Sequence, residues 1–163
     1  MVATRLQAGI DRLGRGIGWL TLVMVLITFV IVLLRYVFNI GWIWLQESVV
    51  YTHAAVFMLG IAWTLFKGGH VRVDIFYRKA GPRRQALIDL TGTVLFIIPL
   101  ALFVLWTSWE YVAASWRLLE GSREAGGLPL VFVLKSLIPA FALLLLIQAL
   151  LSGVGHWQAV RSR

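Results

Sequence analysis

The sequence contains no cysteine and few charged residues. None of its 163 residues is a cysteine, which excludes disulfide bonds, thiolate metal ligands and lipidation on cysteine. Only 13% of the residues are charged, about half the share found in soluble domains, and 60% are hydrophobic. A chain this short cannot hide so much apolar surface from water. The composition therefore predicts an integral membrane protein whose main solvent is lipid.

Acidic residues are scarce as well, and this limits the chemistry that the chain can perform. The sequence contains seven Asp and Glu residues and 15 Lys and Arg residues, which gives a net charge of +8. Basic residues accumulate on the cytoplasmic loops of membrane proteins, so this charge requires no nucleic acid partner. The sequence contains no Walker loop, no HExxH or GxSxG motif and no cluster of carboxylates in an apolar segment. We expect no enzymatic activity, no cofactor and no metal site in this chain.

Four apolar segments are long enough to cross a bilayer, which requires about 20 residues each. They predict an all-α membrane domain over residues 17–157 with spans at about 17–38, 44–66, 87–109 and 130–157. The first segment is too long for a signal peptide and has no small-residue cleavage site, so we interpret it as a retained span. Residues 1–16 form an N-terminal tail that could be an interfacial helix, and residues 158–163 form a C-terminal tail.

The distribution of basic residues predicts the orientation of the spans. With four spans, both tails and the loop between spans two and three share one side, and they contain 11 of the 15 basic residues. The positive-inside rule then places both termini in the cytoplasm. Trp109, Val112, Trp116 and Leu119 continue one helical face beyond the third span. We therefore expect the third helix to extend past the bilayer on the outer side, before a turn at 121–127.

The polar residues near the spans permit two interpretations. Arg35 and Glu47 are predicted at the same outer interface, where they could form an ion pair that anchors the helices or could contact a subunit or ligand. His53 cannot alone supply both axial ligands of a b-type haem, and we expect it to hydrogen-bond a neighbouring helix. Pro99 and Pro139 predict helix kinks. Kinked helices line binding sites in some transporters, but we favour a structural role here.

Several strings in the sequence resemble one known family. Arg35-Tyr36-Val37-Phe38-Asn39, followed by Trp44 and Glu47, resembles a signature of the small permease subunit of tripartite ATP-independent periplasmic (TRAP) transporters. The segment from Lys67 to Asp74, which contains His70 and Arg72, is similar to the cytoplasmic segment of that family after its second helix. Gly81-Pro82, Leu128-Pro129 and Pro139 also match in order, so the resemblance covers roughly residues 17–155.

The resemblance implies a role inside a larger assembly in the bacterial inner membrane. In that family a large polytopic permease subunit binds sodium ions and substrate, and a soluble periplasmic protein delivers the substrate, usually a carboxylate. The small subunit braces the scaffold of the large one. The resemblance further implies one outer group, formed by Arg35, Asn39, Trp44 and Glu47, and one inner-loop cluster, formed by His70, Arg72 and Asp74. We expect both sets of residues to serve folding and subunit contact.

Two other classes of protein remain open from the residues alone. A small proton-coupled exporter that acts as a dimer would need Glu47 as its coupling site, although Glu47 lies at a span end. A membrane anchor subunit of a redox complex would need a second histidine close to His53, whereas His70 and His156 are predicted near the opposite, cytoplasmic face.

Overall fold

The computed structural model describes residues 2–70, 77 and 79–161, and the regular structure of these residues is entirely helical. The helices are α1 (Val2–Val37), α2 (Ile43–Phe66), α3 (Pro82–Gly92), a π-helical turn (Thr93–Ile97), α4 (Ile98–Leu118) and α5 (Val131–Arg161). Because α3, the π-helical turn and α4 are continuous, the described part of the chain has four helices long and apolar enough to cross a membrane. The predicted all-α fold with four spans is confirmed.

The first helix is longer than the span predicted within it. Its 36 residues extend about 54 Å at 1.5 Å per residue, and no break occurs at residue 16, where the tail was predicted to end. Ile10 and Ile17 on this helix are buried. A Cβ atom placed on Gly60 of α2 would lie 3.8 Å from Ile17, so the two helices are in close contact there. The described part of the tail therefore continues the first span as one unbroken helix.

The four spans pack side by side in a row. The first span, α1, packs against α2, α2 packs against α5, and α5 packs against both α3 and α4. Fully buried alanines lie at these contacts, namely Ala62, Ala101, Ala142 and Ala149. Small side chains let helix backbones approach closely, which is how membrane helices associate without a hydrophobic driving force. The row arrangement leaves α1 and α4 at its two edges and leaves broad apolar faces exposed.

The third span extends well beyond the thickness of a bilayer. Its 37 residues reach about 55 Å, compared with a hydrocarbon core of about 30 Å. The helix continues past Trp109 to Leu118, as the sequence predicts. The π-helical turn lies directly before Pro99, whose ring would clash with the carbonyl four residues earlier in a regular α-helix. The wider turn accommodates that clash. Pro139 lies inside α5 without ending it.

Two of the helices end at residues whose backbone adopts the left-handed conformation. Asn39 has a φ of 55°, and it turns the chain so that the Ile40 N–H donates to the Leu34 carbonyl at 3.0 Å. Asn adopts this conformation more readily than other residues with a side chain. Leu119, with a φ of 46°, ends α4. The charge distribution assigns these helix ends to the outer side, and we call the opposite end of the row the inner end.

Candidate functional site

Glu47 fixes the long outer loop to the start of α2. It lies in the second turn of α2, and its carboxylate accepts a hydrogen bond from the Leu128 N–H at 2.6 Å and another from the Ser122 hydroxyl. The Ser122 N–H in turn donates to the Leu128 carbonyl at 3.0 Å. These contacts join residues separated by 75 and 81 positions in the chain. Glu47 therefore closes the loop between α4 and α5 over the outer end of α2.

Glycine is required where the loop passes closest to Glu47. A Cβ atom on Gly127 would lie 2.9 Å from the Glu47 carboxylate and closer still to Ser122. A larger residue at this position would push the loop away from α2. The polar turn at 121–127 is thus a folded element that holds a carboxylate.

A second carboxylate joins α4 to α5 at the outer end. Glu120 accepts hydrogen bonds from Lys135 of α5 and from the Ser115 hydroxyl of α4, the latter at 2.7 Å. The Lys135 ammonium also lies 4.1 Å from the centre of the Tyr111 ring, within range of a cation–π interaction. The hydrogen bond from Lys135, and then that from Ser115, lower the pKa of Glu120, although partial burial acts in the opposite direction. Glu120 is therefore held as a carboxylate.

Aromatic contacts reinforce the same junction. The Trp116 indole N–H donates to the Ser136 hydroxyl at 2.7 Å, and the Trp116 ring meets the Phe132 ring edge-on with centroids 4.7 Å apart. The Phe132 N–H donates to the Glu120 carbonyl at 3.3 Å. The outer ends of α4 and α5 are therefore locked by both polar and apolar contacts. We call the residues Glu47, Ser115, Glu120, Ser122, Gly127 and Lys135 the outer cluster.

The four residues predicted to form one outer group make different contacts in the structure. The possible Arg35–Glu47 ion pair is not formed among the described residues, and Glu47 binds the loop instead. Arg35 is exposed at the end of α1. Asn39 ends that helix, and Trp44 stacks on Trp42 with centroids 5.8 Å apart. Only Glu47 of the four predicted residues belongs to the outer cluster.

At the inner end, Asp11 joins α1 to α2. Its carboxylate contacts Lys67 at 2.8 Å, accepts a hydrogen bond from the Trp63 indole N–H at 3.2 Å and pairs with Arg15 one turn away. Gly14 lies against the Trp63 ring so closely that a Cβ atom there would collide with it. We call Asp11, Gly14, Arg15, Trp63 and Lys67 the inner cluster. The Asp11 carboxylate is thus contacted by three donor side chains of this cluster.

Of the predicted inner-loop cluster, only His70 lies among the residues that the structure describes. Arg72 and Asp74 lie outside the described residues. The exposed His70 lines a groove of about 700 Å³ at the inner end, together with Asp89, Gln148 and His156. Gln148 is buried, and its side-chain N–H donates to the Ser152 hydroxyl at 3.0 Å.

Asp11, Glu120 and Ser122 were not predicted as site residues. One signal was present for Asp11, because it is the only acidic residue before Glu47 and lies among arginines. Glu120 and Ser122 gave no comparable signal, since Glu120 meets Lys135 only through the packing of α4 against α5, and Ser122 meets Glu47 across 75 positions of the chain. Within the described residues, no group of three or more His, Asp or Glu side chains is placed to hold a metal ion. The carboxylates of both clusters serve as acceptors that hold helices together.

These features define a multi-pass membrane protein whose charged groups organise its own helices. Residues 24–159 match the family described as Tripartite ATP-independent periplasmic transporters, DctQ component, and the chain belongs to that family. It is therefore a component of a transport system of the inner membrane and not an enzyme.

One relative shares part of its sequence with this chain. The chain is 30% identical over 88 residues to the C4-dicarboxylate TRAP transporter small permease protein DctQ of Vibrio cholerae serotype O1. That match covers 54% of this chain and 38% of the relative, which is less than half of the relative's length. No solved structure matches the chain.

Proposed function

We propose that this chain braces the static scaffold of a large permease subunit in a sodium-driven importer of carboxylate solutes. The observation that carries the proposal is the use of the charged groups at both ends of the spans. Glu47, Glu120 and Asp11 each bind donors from this same chain, so they hold four helices in a fixed row. A rigid row with broad apolar faces suits a part that supports another membrane protein.

The sodium ions and the solute would bind to the large subunit, and this chain would need no cofactor of its own. A solute-binding protein of the periplasm would deliver the carboxylate to the outer side. The name of the Vibrio cholerae relative makes a four-carbon dicarboxylate the first solute to test. Membrane lipid would cover the apolar faces that the large subunit leaves exposed.

Gentle purification of the tagged chain from its native membrane tests this proposal. Co-elution of a colourless, polytopic partner supports a scaffold role. A homodimer without a partner would favour an exporter, and a haem absorption spectrum would favour a redox anchor. Uptake of a four-carbon dicarboxylate by the reconstituted complex, driven by a sodium gradient, would then establish the solute class and the coupling ion.

A further inference from the structure

A groove between α1 and α2 contains His53, the histidine that lies nearest the middle of a span. Eight residues line this groove of about 640 Å³, namely Met24, Val25, Thr28, Phe29, Val32, Val49, Val50 and His53. It opens on the exposed side of the helix pair, where Val50 is 57% exposed. Apart from Thr28 and His53, its lining is apolar.

His53 lies near the middle of the membrane. It is the eleventh residue of the 24-residue helix α2, about 15 Å from the start of a helix about 36 Å long. Its ring is exposed and contacts the Phe57 ring, with centroids 4.9 Å apart. No hydrogen bond reaches the imidazole from any described residue, so the expected bond to a neighbouring helix within this chain is not formed.

An exposed imidazole at this depth has unsatisfied polar groups. A neutral imidazole has one N–H donor and one acceptor nitrogen, and hydrocarbon tails offer a partner to neither. Thr28 lines the same groove, but its hydroxyl has a partner within its own helix, because it donates to the Met24 carbonyl at 2.8 Å. Ionisable side chains within spans are rarely left facing lipid and usually pair with another group.

The position of the groove in the row determines what can fill it. The first span is an edge helix that packs against α2, so the outward side of the α1–α2 pair is open to a further helix. Lipid headgroups lie about 15 Å from the bilayer centre, so they are too distant to satisfy His53. A neighbouring helix, in contrast, can place a polar side chain at any depth.

We propose that a transmembrane helix of the large permease subunit lies in the α1–α2 groove and hydrogen-bonds His53. The occupant would present an amide, hydroxyl or carboxyl side chain at mid-membrane depth among apolar residues that contact Val25, Phe29 and Val50. This inference rests on the proposed scaffold function, and it adds the surface through which the two subunits meet.

Photo-crosslinking identifies the occupant of the groove. A benzophenone amino acid is introduced at Val50, and the intact complex is irradiated in the native membrane. The expected product is an adduct with the large permease subunit. An adduct with only a second copy of this chain, or with only lipid, would overturn the groove assignment, whereas absence of any large subunit from the purified wild-type complex would overturn the proposed function.

Substitutions then test the hydrogen bond itself. Replacing His53→Leu should weaken association with the large subunit by about 3- to 20-fold, in line with hydrogen bonds between membrane helices, and His53→Gln should recover part of it. The matched control is Thr28→Val in the same groove, which should change association by less than about twofold, because that hydroxyl is already bonded to its own helix. Equal losses in His53→Leu and Thr28→Val, or no loss in His53→Leu, would overturn the role of His53.

Discussion

The outer and inner ends of the helix row are held together in different ways. At the outer end, Glu47 and Glu120 hold a long loop and the ends of α2, α4 and α5, and the contacts of Glu47 join residues 75 and 81 positions apart. At the inner end, Asp11 joins α1 to Trp63 and Lys67, beside the close contact of Gly14 with the Trp63 ring, and 22% of its side chain is exposed. The outer cluster therefore organises three spans, and the inner cluster attaches the fourth.

This difference predicts which part of the protein fails when a cluster is broken. Loss of the outer cluster releases the loop and separates three helix ends at once. Loss of the inner cluster loosens α1, while the contacts among α2, α4 and α5 remain. Glu47, Glu120 and Asp11 are each occupied by contacts within the chain.

The largest effect is expected from Glu47→Ala. This change leaves the Leu128 N–H and the Ser122 hydroxyl without their acceptor, and unmade hydrogen bonds to a charged group are costly. We expect the unfolding temperature in detergent to fall by about 5 °C or more. Glu47→Gln is the matched control. It keeps one acceptor oxygen, so its unfolding temperature should fall less. Equal stability of both variants and wild type would contradict the role of Glu47.

Gly127→Ala should have the next largest effect. The new methyl group would lie 2.9 Å from the Glu47 carboxylate and would force the loop away from α2. We expect a fall of about 3 °C in the unfolding temperature. Gly155→Ala in α5 is the control, because a Cβ atom there meets nothing within 4 Å and alanine favours a helix. If Gly127→Ala were as stable as Gly155→Ala, the loop would not pack as described.

Asp11→Asn should act on the inner end alone. The neutral amide weakens the contacts with Lys67 and Arg15 but leaves the outer cluster intact. Hydrogen exchange measured by mass spectrometry should rise in the first part of α1 and stay unchanged in residues 119–130. Raised exchange in both regions would show that the two ends are not independent.

The smallest effect is expected from acid titration of Glu120. Its pKa is lowered in the folded protein, chiefly by Lys135, so its contribution to stability is complete above the ordinary pKa near 4.5. That contribution is lost as the pH falls below 4.5 and through the lowered pKa. Glu120→Gln should reduce the slope of stability against pH below about 4.5. An unchanged slope would assign acid sensitivity to other carboxylates.

The sequence predicted the helices well and the polar contacts poorly. Apolar runs of about 20 residues follow directly from the thickness of the bilayer, so the four spans were readable, and the ordered strings around Arg35 and Asn39 indicated the family. Asn39 was predicted as part of an outer group, and the structure places it after the end of α1 in a left-handed conformation.

The partners of Glu47 and Asp11 could not be predicted because they depend on tertiary packing. Arg35 is near Glu47 in sequence and of opposite charge, yet the acceptor is occupied by a loop about 80 residues away. Asp11 pairs with Lys67 only because α1 continues straight through the predicted tail boundary and packs along α2. The exposure of His53 likewise depends on α1 and α2 lying at the edge of the row.

We propose that this chain supports the large subunit and does not itself couple transport to sodium. The most direct test is sodium-dependent uptake in proteoliposomes, measured per assembled complex, with the wild-type chain and with Glu47→Gln. We expect fewer assembled complexes with Glu47→Gln but the same sodium dependence and uptake rate per complex. Normal assembly combined with lost sodium-dependent uptake would contradict it.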